Sequence, residues 1–159
     1  MLKYFKPELI VYDFDGVMTN NKVYLDQTGN EIVQVNRGDG LAVAELNRLG
    51  FKQIIISTEK NEVVSTRAKK LKIDCLQGIK NKKQVLIDYC KNNDIDITFT
   101  AFVGNDINDK EAMKVVGFPL CPSDAHESIK SISNYVFKAK GGAGVVRELL
   151  DIVIEKKGE

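Results

Sequence analysis

Residues 8–16 read Glu-Leu-Ile-Val-Tyr-Asp-Phe-Asp-Gly, ELIVYDFDG. The run up to Tyr12 is apolar without alternation, as expected of a central strand covered on both faces. It breaks off into two aspartates and a glycine. The same pattern recurs at KQIII (52–56), which runs into Ser57, and at FTAFV (99–103), which runs into Gly104. With Tyr135–Phe137, the β-rich runs are Leu9–Asp13, Gln53–Ser57 and Phe99–Val103. Segments with helical spacing separate them, at Leu41–Leu49, Glu62–Leu71, Lys82–Lys91, Asp109–Val116 and Val145–Ile154. Strand then helix, repeated, predicts right-handed crossovers and a doubly wound parallel sheet, an α/β fold. One segment departs from this rhythm. KVYLDQTGNEIVQV (22–35) carries two alternating strands about a glycine-containing turn, a β-hairpin inserted between the first strand and the first long helix.

The chain has 159 residues, 43% hydrophobic and 28% charged, with no linker, repeat or low-complexity tract. One domain spanning 1–159 is expected. The 23 basic and 22 acidic residues nearly cancel, so no basic field argues for a nucleic-acid partner. The apolar runs are too short to span a membrane. The opening stretch MLKYFKPELIVYDFDG reads as the approach to a strand and carries no leader cleavage site. Cys75, Cys90 and Cys121 are scattered, against a disulfide framework and against a zinc site. A reduced, cytoplasmic protein is expected.

The chemistry is sought at the carboxyl ends of the strands, where open α/β sheets bind ligands. Asp13 and Asp15, two apart, are expected to project together from the first strand. Two carboxylates so close repel, and a hard divalent cation such as magnesium relieves them while keeping waters for a phosphate. An EF-hand loop fails, because Gly16 comes two places early, Tyr24 stands where the bidentate glutamate belongs, and a strand leads in. Ser57 and Thr58 follow the second strand, where a hydroxyl and backbone N–H groups can hold phosphate oxygens; a helix cap is the plainer alternative. Lys82 opens a helical segment and could neutralise a phosphate and the carboxylate pair together, unless it simply solvates a helix face. Gly104-Asn105-Asp106-Ile107-Asn108-Asp109 follows a further strand and offers more oxygen ligands, with N-capping as the alternative. Acid pair, hydroxyl, lysine and acidic cluster follow in an order that a doubly wound sheet brings to one edge. A response-regulator receiver is disfavoured, since its phosphorylated aspartate would end a middle strand.

In these stretches the sequence resembles the haloacid dehalogenase superfamily. Its four motifs correspond to DFDGV, the Ser57 strand end, Lys82 and GNDIND. With DFDGVMTN, YLDQTGNE, NRGDGLAV, QGIKNK, PSDAH and KGGAGVVRE, the chain is similar to the capless phosphatases of 3-deoxy-D-manno-octulosonate 8-phosphate and nine-carbon acid 9-phosphates. The resemblance runs from about Leu9 to about Ile154. It implies a Rossmann-like domain without a cap and a magnesium-dependent hydrolase. Asp13 would form an aspartyl-phosphate, and Asp15 would act as general acid and then base. Ser57 and Lys82 would hold the phosphoryl group. Magnesium would take the Asp13 side chain, the Asp15 carbonyl and Asn105, with Asp106 and Asp109 as further candidates. Two departures stand out. Asn105 replaces the family's aspartate, which implies weaker metal binding. Thr58-Glu59-Lys60 stands where the octulosonate branch has Gly-Arg after the hydroxyl, which tilts the substrate toward nine-carbon acids and makes Thr58 and Glu59 candidate substrate contacts. The pathway could therefore serve lipopolysaccharide or sialic-acid-like sugars. The resemblance further implies a homotetramer in which the hairpin Val23–Val35 and the tail Lys140–Glu148 help close the site. It assigns no role to His126, which reads as a surface or capping residue. A second reading is a catalytically silent assembly module similar to the C-terminal domain of animal acylneuraminate cytidylyltransferases, against which the chain keeps Asp13, Asp15 and Lys82 together.

Overall fold

The computed structural model describes residues 5–157. Strand β1 (Leu9–Tyr12) leads into a tight loop, and β2 (Thr19–Leu25) and β3 (Glu31–Val35) form the antiparallel hairpin. Helix and strand then alternate through α1 (Arg37–Arg48), β4 (Lys52–Ile56), α2 (Val63–Leu71), β5 (Asp74–Leu76), α3 (Lys82–Asn92) and β6 (Thr100–Val103). The chain continues through α4 (Lys110–Met113), β7 (Phe118–Cys121), α5 (Glu127–Lys130), β8 (Tyr135–Val136) and α6 (Val145–Lys157). The six sheet strands are ordered β5-β4-β1-β6-β7-β8 and all pair in parallel. From β1 the chain first winds outward through β4 and β5, then returns to β1's other side at β6. The order therefore reverses beside β1, where doubly wound sheets open a crevice.

The uninterrupted apolar run of β1 has its reason in the two layers. Ile10 and Tyr12 pack in one layer with residues of α1, α2 and α6. Leu9 and Val11 face the other, with residues of α3, α4 and α5. All four are fully buried. The one polar residue in the buried part of β4, Gln53, is satisfied internally: it accepts from the Tyr12 hydroxyl at 2.7 Å and donates to the Val43 carbonyl at 3.0 Å and to Asn47 Oδ1 at 2.7 Å.

The expected strands are present within a residue or two, the hairpin begins at Thr19, three residues before its expected start, and β6 is preceded by a single 3₁₀ turn at Ile97–Phe99. Strands β5 and β7 and helix α5 were not anticipated. β5 has only three residues, none fully buried, too few for a pattern to register. β7 contains Pro119, which normally argues against an inner strand because it cannot donate to the ladder; here it pairs in register with Phe102. Helix α4 is shorter than the expected Asp109–Val116, because its bonding tightens to an i→i−3 pattern at Val115, whose N–H reaches Ala112. Among the described residues no helix is long and apolar enough to cross a membrane.

Candidate active site

Asp13 stands one residue beyond β1, Ser57 one beyond β4, and Asn105 two beyond β6. All three border a cavity of about 310 Å³, together with Asp15, Asn21, Glu31, Thr58, Glu59 and Asp106. The sheet topology thus gathers the expected residues at one edge. Lys82 arrives from α3, where Asn81 caps the helix by accepting the Gln84 N–H and Lys82 takes the first helical position. It is not a solvated helix residue. It is 2% exposed, and its Nζ donates to Asp13 Oδ1 and to Asp109 Oδ1, each at 2.7 Å.

This buried trio sets the electrostatics. Burial pulls the Lys82 ammonium down, but Asp13 and Asp109 more than offset it and raise its pKa. Asp13 is pushed up to about 7, first by burial and then by Asp109, against the opposing pull of Lys82 and the Phe14 N–H. One ammonium between two carboxylates leaves a net negative charge in a water-poor place. Such clusters are poor sources of stability and frequent marks of function.

Asp109 has both oxygens engaged. Oδ1 takes Lys82, and Oδ2 accepts the N–H groups of Asn105 at 2.9 Å and Asp106 at 3.3 Å. It therefore fixes the loop carrying Asn105 rather than offering a free ligand face. N-capping of α4 by Asn105, Asp106 or Asn108 does not occur; the cap position is Asp109, without a side-chain cap bond. Asp106 turns one oxygen back to the Ile107 N–H at 2.7 Å.

The Asn105 amide can present either end to the space beside Asp13. With its NH2 inward it donates to Asp13 Oδ2 and to the Asp15 carbonyl, each at 3.0 Å. With its oxygen inward, three oxygen atoms converge with no proton between them. A cation resolves that convergence. Among the described residues no group of three or more His, Cys, Asp or Glu side chains could hold a metal. The donors present are one carboxylate, one carbonyl and one amide oxygen, a hard and sparsely charged set that suits an oxygen-preferring divalent ion keeping several waters.

Asp15 is not aligned with Asp13 along a strand, as its spacing suggested. β1 ends at Tyr12, and Asp15 lies in a turn where the Val17, Met18 and Thr19 N–H groups all point to the Phe14 carbonyl. Thr19 orients it: its hydroxyl donates to Asp15 Oδ1 at 3.1 Å and accepts the Gly16 N–H at 3.2 Å. Burial raises the Asp15 pKa, and Glu59 and Glu31 add to this against the Thr19 bond. A carboxyl so placed is suited to hold and return a proton. Gly16 adopts φ +83° and leaves no room for a Cβ, which would lie 1.9 Å from Asn105 Nδ2; the glycine is what lets motif and ligand meet.

Ser57 Oγ accepts the Glu59 N–H at 3.1 Å, and Glu59 Oε1 accepts from Lys60 and Asn61. Thr58 and Glu59 border the cavity as expected. Sequence reasoning did not find Thr19, Asn21 or Glu31, whereas Asn108 of the oxygen-rich cluster does border the cavity. Thr19 carried a signal in its position four residues after Asp15; Asn21 and Glu31 reach the cavity through the hairpin's path, which no local pattern encodes. Lys140–Glu148 does not border the cavity. His126 caps α5, its Nδ1 accepting the Ser128 N–H at 3.2 Å.

Residues 19–149 match the family described as haloacid dehalogenase-like hydrolase. The 3-deoxy-D-manno-octulosonate 8-phosphate phosphatase of Escherichia coli K12 is 30% identical over 152 residues, 95% of this chain and 81% of that protein. The Moraxella catarrhalis phosphatase of the same name, solved with magnesium, phosphate and KDO, superimposes with a TM-score of 0.92 at 27% identity, covering 97% of this chain and 89% of that one. The cobalt-bound Haemophilus influenzae phosphatase gives a TM-score of 0.92 at 25% identity, with 98% and 92% covered. With its sheet order, its Asp13–Lys82–Asp109 cluster and its Asn105 loop all at one crevice, the chain belongs to the haloacid dehalogenase-like hydrolase family and is a phosphatase of that family.

Proposed function

We propose that the enzyme hydrolyses a sugar-acid phosphate, 3-deoxy-D-manno-octulosonate 8-phosphate or a nine-carbon ulosonate 9-phosphate, through an aspartyl-phosphate on Asp13. The observation that carries this reading is Lys82 Nζ bridging Asp13 and Asp109 beside the converging Asp15 carbonyl and Asn105 amide. The Asp13 carboxylate attacks phosphorus as the ester P–O bond breaks, and Asp15 gives its proton to the departing sugar oxygen. A water then attacks the phosphoryl group, Asp15 takes its proton, and inorganic phosphate leaves with Asp13 restored. Ser57 and Lys82 hold the phosphoryl oxygens, since this chemistry needs positioning and charge neutralisation above all. Magnesium, held by Asp13, the Asp15 carbonyl and Asn105, would supply charge compensation for the phosphoryl oxygens. The Mg²⁺ assignment draws support from the Moraxella catarrhalis complex.

The Thr58-Glu59-Lys60 stretch resembles that of the branch acting on nine-carbon acids, and with Glu59 at the cavity this keeps those substrates in the proposal. The residues bordering the cavity include five acids and no cation, so a carboxylate-bearing substrate needs a positive partner from elsewhere. Tyr24 and Ile32, paired across the hairpin, are 76% and 63% exposed, an apolar pair on one face suited to burial against a second copy. Both features support a homotetramer whose neighbour completes the site, although Asn21, Val23 and Glu31 show that the chain's own hairpin already borders it. Three free cysteines agree with a cytoplasmic location. Phosphate release from the two ester classes, measured with Mg²⁺ for wild type and Asp13→Asn, tests the reading. The variant is expected to be inactive and folded; turnover like wild type would remove Asp13 as nucleophile.

A further inference from the structure

The loop Pro122–His126, which follows β7, borders nothing in the cavity, yet it touches two pieces of the site's frame. The His126 N–H donates to the Asn105 carbonyl at 2.8 Å. Asp124 Oδ1 accepts the Gly141 N–H at 2.9 Å. Gly141 and Gly142 in turn lie directly on the turn that carries Asp15. A Cβ on Gly141 would sit 2.2 Å from the Gly16 carbonyl oxygen, and one on Gly142 would sit 2.6 Å from the Asn20 nitrogen. The Gly142 N–H donates to the Val17 carbonyl at 3.0 Å, and Asn36 Nδ2 reaches the Gly142 carbonyl at 3.3 Å. The same turn holds Thr19, whose hydroxyl fixes Asp15.

We propose that Asp124 is a positioning residue for Asp15, acting through a backbone clamp in which it pins Gly141 and Gly142 against the Gly16–Asn20 turn. The contact is backbone against backbone, so no side-chain rearrangement can absorb a shift of the loop. A displacement of Gly141 moves Gly16 and Thr19, and with them the Asp15 carboxyl. Asp124 is itself exposed, so its single bond to a backbone N–H is a positional device rather than part of the core. This inference rests on the reading of Asp15 as the proton donor to the leaving group.

That role makes the test specific. A sugar alkoxide leaves poorly and needs a proton, whereas 4-nitrophenolate leaves readily without one. The aspartyl-phosphate-forming step is isolated as the pre-steady-state rate of alcohol release from the sugar-acid phosphate hydrolysed by the enzyme and from 4-nitrophenyl phosphate, because the later hydrolysis uses Asp15 as base with either ester; it is measured for wild type, Asp124→Ala, Asp124→Asn, Asp15→Asn and Asp15→Asn/Asp124→Ala. Asp124→Ala is expected to lower this first-step rate for the sugar ester by up to about 10²-fold, the effect of misplacing a reacting group by roughly 1 Å, with little change for the nitrophenyl ester. Asp124→Asn, which keeps an acceptor oxygen, is expected to restore it. In the Asp15→Asn background the alanine is expected to add nothing. Equal losses on both esters, no loss on either, or additive losses in the double variant would overturn the clamp. If Asp15→Asn itself loses equally on both esters, the role of Asp15 fails first and the clamp with it, which separates the two failures.

Discussion

Asp39 lies in the first turn of α1 and is 3% exposed. One of its oxygens accepts the Arg147 N–H at 3.1 Å, and the other is buried without a partner. Burial raises its pKa from 3.8 to about 6, against the Arg147 and Val146 N–H groups and the more distant Arg67 charge. The folded state therefore holds this proton more tightly than the unfolded chain. The sign follows: the favourable contribution is complete below pH about 3.8, declines as pH rises, and is lost above about 6. Holding this proton penalises the ionised native state by about 3 kcal/mol at pH 7.5 and by roughly half that at pH 5. Asp39→Asn removes the titration while keeping the shape and an acceptor for Arg147. Losing a bond to a charged acceptor changes stability by ~1 kcal/mol at neutral pH, so the pH dependence is the cleaner quantity. Urea unfolding of both proteins at pH 5 and 7.5 should show the variant gaining on wild type by about 1 kcal/mol as the pH is raised. A gap that stays constant, or that closes with rising pH, would refute the reasoning.

Asp15→Asn should lower kcat on a sugar phosphate by on the order of 10²–10⁴-fold, the usual contribution of a general acid, measured as phosphate release under saturating substrate. Asn105→Asp should tighten Mg²⁺ binding, and because it sets a further carboxylate 3.0 Å from Asp13 Oδ2 and the Asp15 carbonyl, its melting temperature should depend on Mg²⁺ more steeply than that of wild type; a thermal melt with and without the ion decides it, and an unchanged dependence would remove Asn105 from the ligand set. Tyr24→Asp with Ile32→Asp on the hairpin should convert a tetramer to monomers, read by light scattering at micromolar concentration, and a wild-type chain that is already monomeric and fully active would remove the oligomer from the proposal.

The sequence was most legible where one residue had to satisfy several constraints at once. ELIVY and KQIII announce buried central strands because both faces of such strands are covered, and the residues after them fall at the crevice by topology alone. What stayed hidden depended on long-range contacts or on rules broken locally. Pro119 sits inside the sheet against the usual expectation. Lys82 stands in a lysine-rich run that a solvated helix face would explain as well as a phosphate partner, and the fold adds what spacing cannot, its burial against Asp13 and Asp109. Asp15 reaches the cavity as expected, but by way of a turn fastened by Thr19, so the strand periodicity gave the right residue for an incomplete reason. The paired role of Asp109, holding Lys82 with one oxygen and the Asn105 loop with the other, has no signature in spacing at all.

The charges of the site give the proposed Asn105 ligand a second consequence. A phosphate monoester arrives as an anion, and the cavity it enters is bordered by Asp13, Asp15, Glu31, Glu59 and Asp106. Among the described residues the one buried ammonium, Lys82, already faces two carboxylates. An aspartate at position 105 would bring another negative charge to the same few ångströms, and at short range like charges in a poorly solvated place repel strongly. Asparagine keeps an oxygen for the cation while lowering the charge that the substrate must meet. With the proposed ligand set the chain would exchange some metal affinity for easier access by an anionic ester, and the acidic residues left at the rim would place the demand for a compensating positive charge on the metal and, in the proposed tetramer, on a neighbouring chain.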